Sequence, residues 1–160
     1  VKNWDYLKYV LRHKWLVLKY RKYAKVGLIR ALLHDVSKFL PSEWINYSTY
    51  FYGKVGKCKL EKFNYSLIRH QRRNPHHWEY WLLAFEGNKS TNRPLRMPES
   101  CAREMVLDWI TTGMVKSGFL DIERWYSENK GRMLLHADTR VFIENTMAFI
   151  IYGGNANENR

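Results

Sequence analysis

Imidazole and carboxylate groups together suit a divalent cation, and this sequence sets several of them on apolar helical faces. His13, the adjacent pair His34-Asp35, His70 and Asp108 each fall on or beside the apolar face of a separate expected helix. Asp108 shares its stripe with Cys101 and Met105. A carboxylate on such a stripe is costly to bury unless it is paired, protonated or bound to a cation. One buried histidine alone is more often a hydrogen-bonded core residue than a ligand. A set drawn from four helices is harder to explain by packing, and points to a mixed nitrogen and oxygen site for Mn, Fe, Co, Ni, Zn or Mg. Cys58 and Cys101 have no metal-type spacing and make no disulfide framework.

The elements that must position these residues are helices. Over residues 4–24, Tyr9, Val10, His13, Leu16, Val17 and Tyr20 recur at helical spacing. A second helix is expected from Leu28 to Phe39, stopped by Pro41, with Ser42 capping a third that runs to Tyr52. The glycines and lysines of 53–57 mark a loop, and a fourth helix covers 60–73 until Asn74-Pro75 breaks it. The aromatic segment from Trp78 to Phe85 fits either a short strand or a packed turn, and the polar stretch 87–96 reads as mobile. Pro98 suits the start of a helix reaching Thr112, and Gly113 and Gly118 bracket the next connection. Asp121 can cap a short helix to Asn129, and a last helix spans 138–151, with His136 at its start.

This pattern predicts an all-α, compact single-domain helical bundle of about six or seven helices, with residues 1–154 as the domain and 155–160 as a disordered tail. The 160 residues carry a net charge of +12, which favours an anionic substrate or partner such as a nucleotide, a phosphorylated metabolite or nucleic acid. Lys and Arg interrupt every apolar run, so no membrane span is expected, and the charged, aromatic beginning is unlike a signal peptide. The expected location is the cytoplasm. Trp78, Trp81, Trp109 and Trp125 could stack on a base, although core packing is the favoured reading.

The order His13, His34-Asp35, Asp108 resembles the signature of the HD superfamily of metal-dependent phosphohydrolases. That resemblance implies one divalent cation held by these four residues inside a helical bundle of the HD-domain type. The stretch His34-Asp35-Val36-Ser37-Lys38 is similar to the HDxxK variant, which implies a lysine near the scissile phosphate. On a continuous helix Lys38 would lie one turn from His34 on the same face. Segments such as Leu33-His34-Asp35-Val36-Ser37-Lys38-Phe39, Pro41-Ser42-Glu43, the run from His70 to Trp78, and Glu104 to Trp109 also resemble a small family of unknown function common in phages and bacteria. His70 with His76 or His77 is similar to the two extra histidines of two-metal HD proteins, which implies a second ion. As alternatives, these histidines donate protons or bind phosphate, or His76 and His77 sit in a surface turn after Pro75.

The resulting expectation is a hydrolase of a nucleotide or another phosphorylated small molecule, using one or two ions. Asp35, Lys38 and His70 are the candidate catalytic residues, and Lys38, Arg72, Arg73, His76, His77 and Arg140 are the candidate substrate contacts. Two other readings stay open: an HD-type di-iron oxygenase, and a non-catalytic binder of nucleotides or nucleic acid. A phage-encoded protein would act in the host-cell cytoplasm.

Overall fold

The computed structural model describes residues 2–53, 57–84 and 92–153, without the side chains of 57–59. The expected loop residues 54–56, the Cys58 side chain, residues 85–91 of the aromatic and polar segments, and the tail after Gly153 lie outside the described residues. The chain is all-α. Among the described residues, seven α-helices run in the order α1 (Lys2–Tyr20), α2 (Leu28–Leu33), α3 (Pro41–Tyr52), α4 (Lys57–Arg73), α5 (Glu99–Ser117), α6 (Ile122–Asn129) and α7 (Ala137–Gly153). The aromatic segment contains both expected forms. Trp78–Trp81 make a 3₁₀ turn, and β1 (Leu82–Leu83) then pairs antiparallel with β2 (Arg93–Pro94), Leu82 opposite Pro94. No helix among the described residues is long and apolar enough to cross a membrane.

Helical spacing puts Tyr6, Val10, His13, Leu16 and Val17 of α1 inside, and the helix packs against α2, α3 and α5. Helix α5 is central: Cys101, Ala102, Glu104, Met105, Val106, Leu107, Asp108 and Thr111 are all buried. Three apolar clusters surround it and α1. One joins α5 to α6 and α7 through Met105, Ile122, Tyr126, Ile143 and Met147. A second holds Val17, Ala31 and Leu107, and a third Tyr6, Val10 and Tyr47. Trp78, Trp81, Trp109 and Trp125 pack on the first cluster, with Trp109 and Trp125 ring centroids 5.1 Å apart. All four are partly buried, with their rings against this core.

Several expected boundaries shift for identifiable reasons. Helix α1 ends at Tyr20, and a turn with Lys25 in the left-handed region follows it. Pro41 starts α3 at its first turn, where its fixed φ suits the helix, and no side chain caps that end. Gly113 lies inside α5, since an added Cβ would stand 2.4 Å from Leu120 Cβ; the close approach of Leu120 requires glycine there. Gly118 ends α5 at φ 80°, and Asp121 caps α6 by accepting from the Arg124 backbone N–H.

The largest change affects the second helix, expected to continue to Phe39. Helix α2 stops at Leu33, Asp35 takes a left-handed φ of 54°, and Val36–Phe39 form a 3₁₀ turn. Lys14 of α1 accounts for the stop, donating to the free carbonyls of Leu32 at 3.0 Å and His34 at 2.8 Å. In an unbroken helix adjacent side chains diverge by about 100°. The break lets His34 and Asp35 face one point.

Candidate metal centre

His13 comes from the buried face of α1, His34 and Asp35 from the turn after α2, and Asp108 from the middle of α5. Their ligand atoms lie within 4.8 Å of one another. His13 Nε2 is 3.1 Å from both His34 Nε2 and Asp108 Oδ1, while Asp35 Oδ2 is 3.5 Å from His34 Nε2 and 3.7 Å from His13 Nε2. Bonds of about 2.1 Å to a shared cation separate neighbouring ligands by roughly 3.0 Å at octahedral and 3.4 Å at tetrahedral angles. The spacing therefore fits an ion.

A second set meets the other oxygen of the same carboxylate. His70 Nε2, at the end of α4, and His76 Nε2, in the turn after Pro75, each lie 3.3 Å from Asp35 Oδ1. His77 joins them within the same 4.8 Å limit. Asp35 thus presents one oxygen to each set. Asp35 Oδ1, His76 Nε2 and His77 Nε2 are buried without a well-aligned hydrogen bond, while Asp35 Oδ2 faces Lys38 Nζ. Buried polar atoms left in this way are costly, and a cation would satisfy them together. The residues fit one or two divalent ions.

Two glutamates hold the imidazoles from behind. Glu104 Oε1 accepts from His34 Nδ1 at 2.9 Å and lies 3.4 Å from His76 Nδ1, while Arg30 donates to Glu104 Oε2 at 2.8 Å. Glu43 Oε2 accepts from His70 Nδ1 and from the Ser37 hydroxyl, both at 2.9 Å, and Arg73 pairs with Glu43 Oε1 at 3.0 Å. A proton on each Nδ1 leaves the Nε2 lone pair free to face a metal. Sequence reasoning quoted Glu43 and Glu104 within motifs but gave neither a role. The signal for Glu104 was its position one turn before Asp108, on the same face of α5.

The electrostatics favour ligand-competent forms for several of these groups. Burial opposes ionisation of Asp35, yet His34, Lys38 and His70 hold its carboxyl well below the usual range. Burial likewise opposes Asp108, and bonds from His13 and His34 keep it low. Against the same burial, His34, His76 and Arg30 hold Glu104 at about 2. Burial with His76 and His70 nearby pushes His77 down to about 3, so it is neutral. His76 differs: burial disfavours its charge, but Asp35 and Glu104 raise it to about 10. Without an ion, a proton on His76 supplies part of the missing positive charge.

The other expected site residues divide. Lys38 is buried with Nζ 2.5 Å from Asp35 Oδ2; it reaches Asp35 across the 3₁₀ turn, without the shared helix face expected with His34. Arg73 acts on the site through Glu43 and lines an open depression beside Arg30, His76 and Glu104. Arg72 is exposed, in a separate groove with Gln71 and Glu79. Arg140 is a structural residue that donates to the Met133 carbonyl at 2.8 Å and the Tyr126 hydroxyl at 3.0 Å. Neither Arg72 nor Arg140 joins the cluster. His136 accepts the Asp138 backbone N–H at the start of α7, away from the other histidines.

This chain belongs to the DUF5662 family, a family of unknown function. The match runs over residues 2–148, so it spans every residue of the two candidate ligand sets described above. No curated protein and no solved structure matches the chain.

Proposed function

We propose that this protein is an HD-type, metal-dependent phosphohydrolase acting on a nucleotide or another phosphorylated small molecule. The observation that carries this reading is Asp35, which shares its two oxygens between two histidine-rich sets while a buried lysine stands against it. When bound, a divalent cation supplies Lewis acidity, making water more acidic and drawing charge from a phosphoryl group. Lys38 adds a fixed positive charge that offsets charge growing on the phosphate. Asp35 and Asp108 stay ionised and hold their oxygens in place, and Glu104 and Glu43 fix the imidazole orientations. The oxygen of water bonds to phosphorus, the ester P–O bond breaks, and the proton from water goes to the departing oxygen.

The test pairs elemental analysis of protein purified without chelator with phosphate release from a panel of nucleotides and sugar phosphates. Stoichiometric metal and phosphate release are the expected result; Asp35→Ala should lose both, and Asp108→Ala should lose phosphate release together with the ion of the His13 and His34 set. Bound metal with no release from any phosphate would overturn the reading. A di-iron oxygenase is the second reading, favoured by the three histidines grouped with Asp35 beside the first ligand set. It requires about two irons per chain and a mixed-valent electron paramagnetic resonance signal; a single non-iron metal would exclude it.

A further inference from the structure

Lys38 has two neighbourhoods. Its ammonium meets Asp35 Oδ2, and its side chain also lines a cavity of about 370 Å³ walled by Tyr9 of α1, Tyr47, Phe51 and Tyr52 of α3, and Lys116 of α5. Lys38 is buried, which marks the inner end; Lys116 is exposed, which marks the mouth. The aromatic walls remain open to solvent in part, Phe51 at 52% and Tyr52 at 40% exposure. The Tyr47 hydroxyl is buried and has no hydrogen-bond partner. Burial pushes the Tyr47 pKa up, so the phenol keeps its proton and remains a donor.

A buried ammonium and an unpaired phenol on one cavity are suited to an anion with several acceptor oxygens. Flat aromatic faces beyond them are suited to a flat ring. The volume lies near the lower end of the range for small-molecule pockets, about 300–1,000 Å³, so it suits one nucleoside-sized unit rather than a longer chain. We propose that this cavity is the leaving-group pocket and takes the phosphate monoester of a single ring-bearing alcohol. The phosphate meets Lys38 and Tyr47, and the ring lies among Tyr9, Phe51 and Tyr52.

The assignment rests on the phosphohydrolase reading and narrows its substrate. Hydrolysis forms a bond from water oxygen to phosphorus and breaks the bond to the ring-bearing alcohol, which leaves with the proton from water. A phosphate dianion beside Asp35 and Asp108 is repelled unless cations intervene, so binding in this pocket depends on metal.

The experiment uses the full chain loaded with Mn and compares adenosine 5′-monophosphate, glycerol phosphate and a 5′-phosphorylated trinucleotide. The mononucleotide should exceed glycerol phosphate in kcat/KM by about tenfold, the scale of one stacked ring, and the trinucleotide should be poor. Tyr52→Leu should bring the mononucleotide-to-glycerol ratio close to one, and Tyr47→Phe should raise KM for both compounds. Equal use of the two monophosphates, a ratio unchanged in Tyr52→Leu, or good use of the trinucleotide would overturn the pocket and leave the hydrolase reading intact. If neither these compounds nor the wider panel release phosphate, the hydrolase reading fails, and calorimetric binding of the mononucleotide decides the pocket. Binding weakened by Tyr52→Leu would then keep the site as a ligand pocket; no binding, or binding unaffected by the change, would remove it.

Discussion

Replacing Asp35 with asparagine keeps the shape of the side chain and removes its charge. The residue is 1% exposed and lies 2.5 Å from Lys38 Nζ, 3.3 Å from His70 and His76, 3.5 Å from His34 and 3.7 Å from His13. In metal-free protein, Asp35→Asn leaves the Lys38 ammonium buried without its counter-charge, which should cost about 3–5 kcal/mol. Lys38→Met alone leaves the converse defect, whereas the double variant removes both partners and should recover about 2 kcal/mol of the Asp35→Asn loss. Urea unfolding of the four proteins, stripped with chelator, measures the cycle. Metal content gives the second readout. Asp35→Asn should empty both ligand sets, Asp108→Asn should empty only the set with His13 and His34, and His77→Ala only the other. The shared-carboxylate argument is refuted if Asp35→Asn keeps one full equivalent of the metal bound by the parent. Strict additivity of the stability cycle would refute the buried pair.

Glu104→Gln leaves every metal-facing atom in place but loosens His34 and His76, so metal affinity should fall about 10–100-fold in a chelator competition. His76 of the ion-free protein titrates at about 10, so below that pH a cation must displace its proton. Affinity should therefore rise with pH from 6 to 9, about tenfold per unit for each proton released, and calorimetry in buffers of different ionisation enthalpy should detect that proton. A flat profile would contradict the assignment. For the same ion-free protein, Glu104 at about 2 against an ordinary 4.5 gives stability present above about pH 4.5 and lost as pH falls from there towards 2. Urea midpoints should drop across that window, and less so in Glu104→Gln. Gly113→Ala should cost about 1–3 kcal/mol by driving a methyl into Leu120. Gly131→Ala, with nothing within 4 Å, should change stability by less than about 0.5 kcal/mol in the same urea assay.

Much of the ligand cluster was legible because ligand-type side chains stood at positions that helical spacing marks as buried. His13 and Asp108 follow this rule directly. The break at His34-Asp35 was not legible, because residues 28–39 keep an apolar period that a continuous helix satisfies equally well. What stops the helix is Lys14, on another helix, and no local pattern contains that contact. Glu43 stands in the first turn of α3, where the backbone dipole already favours a carboxylate, so its position does not announce the buried bond to His70. Arg72, Arg73 and Arg140 carry the same charge, and charge alone does not tell which of them points towards the cluster. Gly113 read as a break because the close approach of Leu120 comes from the chain beyond α5.

The placement of the cluster in the chain has a mechanical consequence. Its ligands come from the first helix, the turn after the second, the end of the fourth and the middle of the fifth. The three apolar clusters divide the molecule differently: the buried members of the largest run from Met97 to Met147, with Trp78 and Trp81 packed on it from the preceding segment. An ion joining His13 to Asp108 would therefore act as a cross-link closing most of the chain into a loop, in the manner of a long-range disulfide. Removing it would release the N-terminal helices first and leave α5–α7 to hold together through their own core. Ion occupancy would then set how long the N-terminal half stays folded, as well as whether the site can react.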